Sequence, residues 1–242
     1  MPKYKLTEED EANIASNQSK SKPHMLSNIA LNLKCKTEGQ KLLVNSIKTN
    51  EVTICSGLAG TGKTYLACYQ ALKLLKAYPG KYKQIILVKS VTTLKDEEIG
   101  FLKGGMEDKM EPFIYSFIHN IQKIIGPSLT ESLKANKTID VLPIAYMRGI
   151  NLDNSIVIID EAQNLTQDHI VTILTRLGHD SRMIFLGDRD QIDRKSKRSS
   201  GLEWMIKTFI DFDGVGTITL GVSDVVRNKL VGKILAHLEE LK

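Results

Sequence analysis

The run Gly57-Leu58-Ala59-Gly60-Thr61-Gly62-Lys63-Thr64 has the residue types and spacing to hold a polyphosphate. Its glycines let backbone N–H groups turn inward around anionic oxygens. Lys63 brings a cation to the β- and γ-phosphates, and Thr64 offers a hydroxyl to Mg²⁺. A helix starting here aims its positive end at the anion. Chance yields such a run in on the order of one chain in a hundred of this length. Here an apolar strand pattern precedes it and a helical pattern follows, the context that the chemistry requires.

Two acidic or polar turns share that logic. Ile156-Val157-Ile158-Ile159 reads as a buried strand that ends in Asp160-Glu161. Ligands collect at the carboxyl ends of strands in an open α/β sheet. Asp160 could hold Mg²⁺ with Thr64, and Glu161 could polarise an attacking water. The competing reading is two solvated acids at a strand end. Phe185-Leu186-Gly187-Asp188-Arg189-Asp190-Gln191 is the other turn. Gln191 could orient the water or sense the γ-phosphate, with Asp188 orienting it; otherwise this is a turn that only ends a strand. Upstream, Gln40 precedes the first core strand, where its amide could read adenine's N6 and N7 edge. A lone glutamine is otherwise a surface residue. The guanine-reading spacing N-K-x-D is missed by one residue in Asn136-Lys137-Thr138-Ile139-Asp140, so that run is a decoy.

The elements that must position these groups follow from hydrophobic pattern. Strands are expected at 52–55, 84–88, 156–159, 183–186 and 215–220. Helices are expected at 38–48, 63–77, 112–125, 166–177, 201–210 and 224–241. Continuous apolar strands alternating with helices imply a mostly parallel sheet covered on both faces, a three-layer α/β domain. Residues 1–24 are polar with a run of acids and are expected as a flexible tail. Residues 25–242 are expected as a single domain, with 90–150 an insertion or a less regular part.

Of the 242 residues, 42% are apolar and 25% charged, ordinary for a soluble globular chain. The net charge of +5 permits nucleic-acid binding without demanding it. Cys35, Cys55 and Cys68 form no metal motif, and the expectation is a reduced, cytoplasmic protein. No stretch approaches the ~20 apolar residues of a membrane helix.

These residues together resemble the PhoH-like family of P-loop ATPases, itself similar to the first core domain of superfamily 1 helicases (a RecA-like fold). The resemblance covers roughly 37–235. It rests on the phosphate run with its following Tyr65-Leu66-Ala67, on Ile99-Gly100-Phe101-Leu102, on Ala145-Tyr146-Met147-Arg148-Gly149, and on Asp160-Glu161-Ala162-Gln163-Asn164. It continues through Leu174-Thr175-Arg176-Leu177-Gly178, Gly187-Asp188 with Gln191-Ile192-Asp193, and Asp224-Val225-Val226-Arg227. Lys89-Ser90 stands where the family commonly has arginine and proline, and Leu102-Lys103-Gly104 replaces Leu-Pro-Gly. Phage-encoded members vary in the same places.

The resemblance implies ATP binding and Mg²⁺-dependent hydrolysis, action on RNA or DNA, and a hexameric ring. Nucleotide contacts are then expected from Gln40, Gly57, Leu58, Ala59, Gly60, Thr61, Gly62, Lys63, Thr64 and Tyr65. A single core lacks the arginines that a second helicase core supplies. An arginine from a neighbouring subunit, Arg176 or Arg227 first and Arg194 or Arg198 next, could complete the site; each could equally be a surface or structural ion pair. Lys89, Ser90, Thr92, Arg148, Lys195 and Lys197 are candidates for nucleic-acid contact; a solvated loop is the alternative for 189–198. Rival functions are an ATP-binding regulatory scaffold with little turnover and a kinase of a small metabolite.

Overall fold

The computed structural model describes residues 25–89, 106–189, 191 and 200–226. The first helix or strand among the described residues is α1 (Glu38–Thr49), whose N-terminus is capped by Thr37: the hydroxyl accepts from the Gln40 N–H at 3.2 Å. Strand β1 (Val52–Gly57) leads through the glycine-rich turn into α2 (Lys63–Ala77), the bounds that pattern alone suggests for that helix. Strand β2 (Gln84–Lys89) follows.

The region expected to be an insertion or irregular contributes two helices and a strand of the common sheet. These are α3 (Met106–Ile125), α4 (Pro127–Ala135) and β3 (Ile139–Val141). Then come β4 (Ser155–Asp160), α5 (Gln167–Leu174), β5 (Arg182–Gly187), α6 (Gly201–Thr208) and β6 (Val215–Leu220). Helices α5 and α6 are shorter than expected, because Thr175 and Phe209 already close them. The helix expected from Asp224 does not begin there. Val222–Asp224 is a 3-10 turn and Val225 is extended, while the rest of that expected helix lies outside the described residues.

The six strands form one sheet in the order β3-β2-β4-β5-β1-β6, and every neighbouring pair is parallel. Alternate residues of each strand feed opposite cores. Ile156 and Ile158 of β4 pack with α1, α2, α3 and α4 residues such as Leu43, Leu72, Phe117 and Leu133. Val157 and Ile159 pack on the other face with Ile170 and Ile173 of α5 and Leu202 and Met205 of α6. Burial on both faces explains why β4 is apolar at four successive positions, all fully buried.

Candidate functional site

Strands β4, β5 and β1 are neighbours, so their carboxyl ends bring the glycine-rich turn, the paired acids and the 188–191 turn to one edge. Gly60 and Gly62 have φ of +89° and +87°, a region where a side chain would be strained. That geometry turns the loop into the first turn of α2. Lys63 Nζ donates to the Gly57 and Leu58 carbonyls at 2.5 and 3.0 Å, so its ammonium already lies over the loop.

Thr64 and Asp160 meet although 96 positions separate them: the hydroxyl donates to Asp160 Oδ2 at 3.1 Å. The other carboxylate oxygen accepts from the Glu161 N–H at 3.1 Å. Among the described residues, no group of three or more His, Cys, Asp or Glu side chains could hold a metal. A hydroxyl beside a carboxylate suits Mg²⁺, a hard ion that keeps several waters and shares substrate phosphates rather than sitting in a protein cage.

Glu161 sits in the left-handed region, φ +57° and ψ +37°. A non-glycine residue there costs about 1–3 kcal/mol and persists only where its surroundings fix it. What fixes it is Gln163, a residue that belongs to a sequence motif but to which sequence alone assigns no role. Gln163 is fully buried. Its amide donates to Glu161 Oε2 at 2.6 Å and to the Gln191 carbonyl at 2.9 Å. Its carbonyl oxygen accepts the Asp188 N–H at 3.1 Å. One carboxamide thus locks the acid after β4 to the turn after β5. Gly187 must be glycine for this contact, since a Cβ there would lie 2.7 Å from Gln163 Oε1. No local sequence signal marks such a role, because it exists only once β4 and β5 lie side by side.

Gln40 is almost fully buried, yet it lines the cleft beside the loop. Its Nε2 donates to the Thr61 carbonyl at 3.0 Å, and its Oε1 accepts the Lys36 N–H at 2.8 Å. These bonds prop the loop and leave the carboxamide one N–H and one lone pair. A second prop comes from beyond β6, where the Val226 N–H donates to the Gly60 carbonyl at 3.1 Å. Asp224 holds that segment in place by accepting the Thr37 hydroxyl and the Gly221 N–H, at 2.5 and 3.0 Å.

A cleft of about 620 Å³ unites these groups. Gln40, Ala59, Gly60, Gly62, Lys63, Thr64 and Tyr65 line it, together with Asp160, Glu161, Asp188 and Gln191. It also reaches residues not foreseen: Leu33, Lys34 and Lys36 of the segment before α1, and Ser116, Asn120 and Lys123 of α3. A second hollow, about 490 Å³, lies at the opposite edge of the sheet. Its polar groups serve structure: Asp153 accepts the His179 N–H, and Arg182 Nε donates to the Tyr82 hydroxyl.

Of the remaining candidates, those among the described residues lie apart from the cleft. Arg176 precedes β5, and its carbonyl accepts the Leu152 N–H ahead of β4. It therefore lies at the amino-terminal edge of the sheet, a six-residue strand (about 20 Å) from the phosphate loop. Its guanidinium donates to the Ile150 carbonyl at 3.4 Å and the Thr175 hydroxyl at 3.3 Å. It cannot serve the site of its own chain. Arg148 is exposed on the β3–β4 connection and does not line the cleft. Lys89 ends β2 in register with Asp160. Ser90, Thr92, Arg194, Lys195, Lys197, Arg198 and Arg227 lie outside the described residues.

A parallel sheet with a phosphate loop on one strand and paired acids on a near neighbour defines the P-loop NTPase fold. The family model described as PhoH-like protein matches residues 32–239. The chain belongs to that family. It is 40% identical over 203 residues to a PhoH-like protein of Bacillus subtilis, covering 84% of this chain and 63% of that one. It is 31% identical over 202 residues to Protein PhoH of Escherichia coli K12, covering 83% and 56%. The chain thus spans less than two thirds of the length of these curated relatives. Among solved structures, the Pyrococcus furiosus Hef helicase domain aligns with a TM-score of 0.44 at 14% identity, covering 74% of this chain and 37% of that one. The large terminase of a thermophilic bacteriophage aligns at 0.47 and 11%, covering 81% and 48%. Among the described residues no helix is long and apolar enough to cross a membrane.

Proposed function

We propose that this chain binds ATP with Mg²⁺, hydrolyses it, and couples hydrolysis to RNA or DNA in a ring of identical subunits. The observation that carries this is the convergence of Lys63, Thr64, Asp160, Glu161 and Gln191 on one cleft from three adjacent strands. The backbone N–H groups of the loop and Lys63 hold the triphosphate. Thr64 and Asp160 would hold Mg²⁺, which when bound neutralises charge on the β- and γ-oxygens. Glu161, aimed by Gln163, accepts a proton from water as its oxygen attacks the γ-phosphorus. The bond to the β–γ bridging oxygen breaks, leaving ADP and inorganic phosphate. Gln191 lines the same cleft, where it can orient that water.

A ring is what the resemblance to the family implies. In such a ring each subunit would lend an arginine to its neighbour's γ-phosphate. The candidates are Arg176, at the edge of the sheet away from its own loop, and Arg227. Nucleic acid would contact Lys89, Ser90, Thr92, Arg148, Lys195 and Lys197, where salt dependence is the signature.

The test is phosphate release by purified protein with and without single-stranded RNA and DNA, beside Glu161→Gln. Turnover that rises with nucleic acid and disappears in Glu161→Gln supports the reading. ATP binding without turnover in any condition would favour the regulatory scaffold. Phosphorylated metabolite as product would favour the kinase. Inactive Arg227→Ala and Lys63→Ala proteins that recover activity when mixed would establish an arginine acting between subunits.

A further inference from the structure

Away from the cleft, exposed apolar side chains gather in two patches of opposite charge. Helix α6 runs out into Phe209-Ile210-Asp211-Phe212-Asp213-Gly214 ahead of β6. Ile210 and Phe212 stand 64% and 58% exposed, and Asp211 and Asp213 beside them are exposed too. Phe212 is not a loose end. Its ring meets Phe209 edge to face with centroids 5.6 Å apart, and Phe209 meets Trp204 the same way at 6.1 Å. These rings hold the patch in shape before anything touches it. Apolar groups rimmed by polar ones mark a surface of interaction.

The second patch joins the connection before β4 to the end of α5. Ile144, Ile150, Leu174 and Leu177 pack on one core, which brings those segments together. Tyr146 and Val171 are 53% and 47% exposed there. Arg148 is exposed and Arg176 half-buried. Arg176 Nε is shut off from solvent without a hydrogen-bond partner among the described residues, and the rest of its guanidinium bonds at only 3.3 and 3.4 Å. A guanidinium so placed lacks the carboxylate that its planar fork suits. No ion pair among the described residues includes Arg148, Arg176, Asp211 or Asp213.

Both patches reach the amino-terminal edge of the sheet. The Gly214 carbonyl accepts the Glu51 and Val52 N–H groups ahead of β1, and the Arg176 carbonyl accepts the Leu152 N–H ahead of β4. They lead into different strands, one into β6 and the other into β4 and β5, with β1 between β5 and β6. Two complementary patches at one level of the molecule suit a head-to-tail contact, in which one face meets a different face of the next copy. We infer that a second copy of this chain occupies each patch. Ile210 and Phe212 of one subunit pack against Tyr146 and Val171 of the next, and Asp211 and Asp213 pair with Arg176 and Arg148. The contact rests on the ring reading above and supplies its surfaces. Arg176 then bridges subunits at the edge away from the phosphate loop, which leaves Arg227 for the γ-phosphate. Nucleic acid on the arginine patch is the poorer fit, because it leaves the acidic patch without an occupant.

The test is sedimentation velocity of the full chain with Mg-ATP, beside charge-reversed variants. Asp211→Arg with Asp213→Arg reverses one patch, and Arg148→Asp with Arg176→Asp reverses the other. Each should weaken self-association about 10-fold or more, because like charges then face each other. Mixed together the two variants should assemble again, since each reversed patch meets its complement on the other protein; damage to the fold would give no such recovery. Ile210→Ser with Phe212→Ser, at exposed positions, should weaken assembly and leave ATP binding as in wild type. Variants that assemble like wild type, or a mixture that does not recover, would overturn the contact. A wild type that stays monomeric would overturn the ring as well. Loss of single-stranded RNA binding in the arginine-patch variant, with assembly intact, would give that patch to nucleic acid instead. Assembly that charge reversal breaks, in a protein without ATP turnover, would uphold the contact and refute the hydrolysis alone.

Discussion

Replacing Gln163 by alanine should damage both the fold and the chemistry, by amounts that the structure bounds. The side chain makes three hydrogen bonds, two between neutral groups and one to the Glu161 carboxylate. Neutral bonds contribute about 0.5–1.5 kcal/mol each. Glu161 is only half-buried, so its bond counts nearer ~1 kcal/mol than the full value for a charged partner. Buried atoms are lost as well. A destabilisation of about 2–4 kcal/mol follows, which moves a urea midpoint by about 1 M. Glu161 is also released from its strained backbone setting. Turnover should then fall about 10–100-fold, part of what a placed general base supplies. Nucleotide affinity should hardly change, because Gln163 makes no hydrogen bond to the phosphate loop. Gln163→Glu is the sharper variant: volume is kept, but two acceptors now face each other where the amide donated at 2.6 Å. The measurements are urea unfolding and steady-state phosphate release, with kcat separated from KM. A Gln163→Glu protein with wild-type midpoint and wild-type kcat would refute the locking role.

Asp224→Ala removes the acceptor for the Thr37 hydroxyl and the Gly221 N–H. It should cost about 1–3 kcal/mol and weaken nucleotide binding through Val226 and Gly60, read by calorimetry beside unfolding. Burial pushes the Cys55 thiol up to about 12 from 9.0, and Cys68 moves the same way for the same reason. A thiol harder to ionise folded than unfolded contributes stability that is complete below about pH 9 and lost as pH rises towards the folded value. The thermal midpoint should therefore drop between pH 9 and 12, and Cys55→Ala should flatten that drop. Chelation with EDTA should weaken ATP binding to wild type but have much less effect on Asp160→Asn, where the carboxylate that would hold the ion is gone.

Legibility in the sequence follows how locally each feature is encoded. The phosphate loop and α2 are readable because glycines, lysine and a capless helix start lie within a few residues of one another. Strand β4 is readable because burial on both faces demands an unbroken apolar run. Strand β3 is not, since three residues, Ile139, Asp140 and Val141, are too few for periodicity to register. Asp224 reads as a helix start because acids favour first turns. Its carboxylate instead ties the chain after β6 to the cap of α1, a contact spanning 187 positions. Gln163 shares that difficulty, because two of its three bonds go to Asp188 and Gln191, in the turn after another strand.

The strand order has a consequence for how the protein is made. Strand β1 carries the phosphate loop near the front of the chain, yet its two neighbours in the sheet are β5 and β6. About 130 residues separate the end of β1 from the end of β5. At ribosomal rates that is a delay of roughly 7–26 s during which β1 has no native strand beside it. An apolar strand with both edges open for that long invites mispairing, and the long loop closure slows the correct pairing. Expression at lower temperature, or with chaperones that bind nascent chains, should raise the soluble yield more than any change to the finished site.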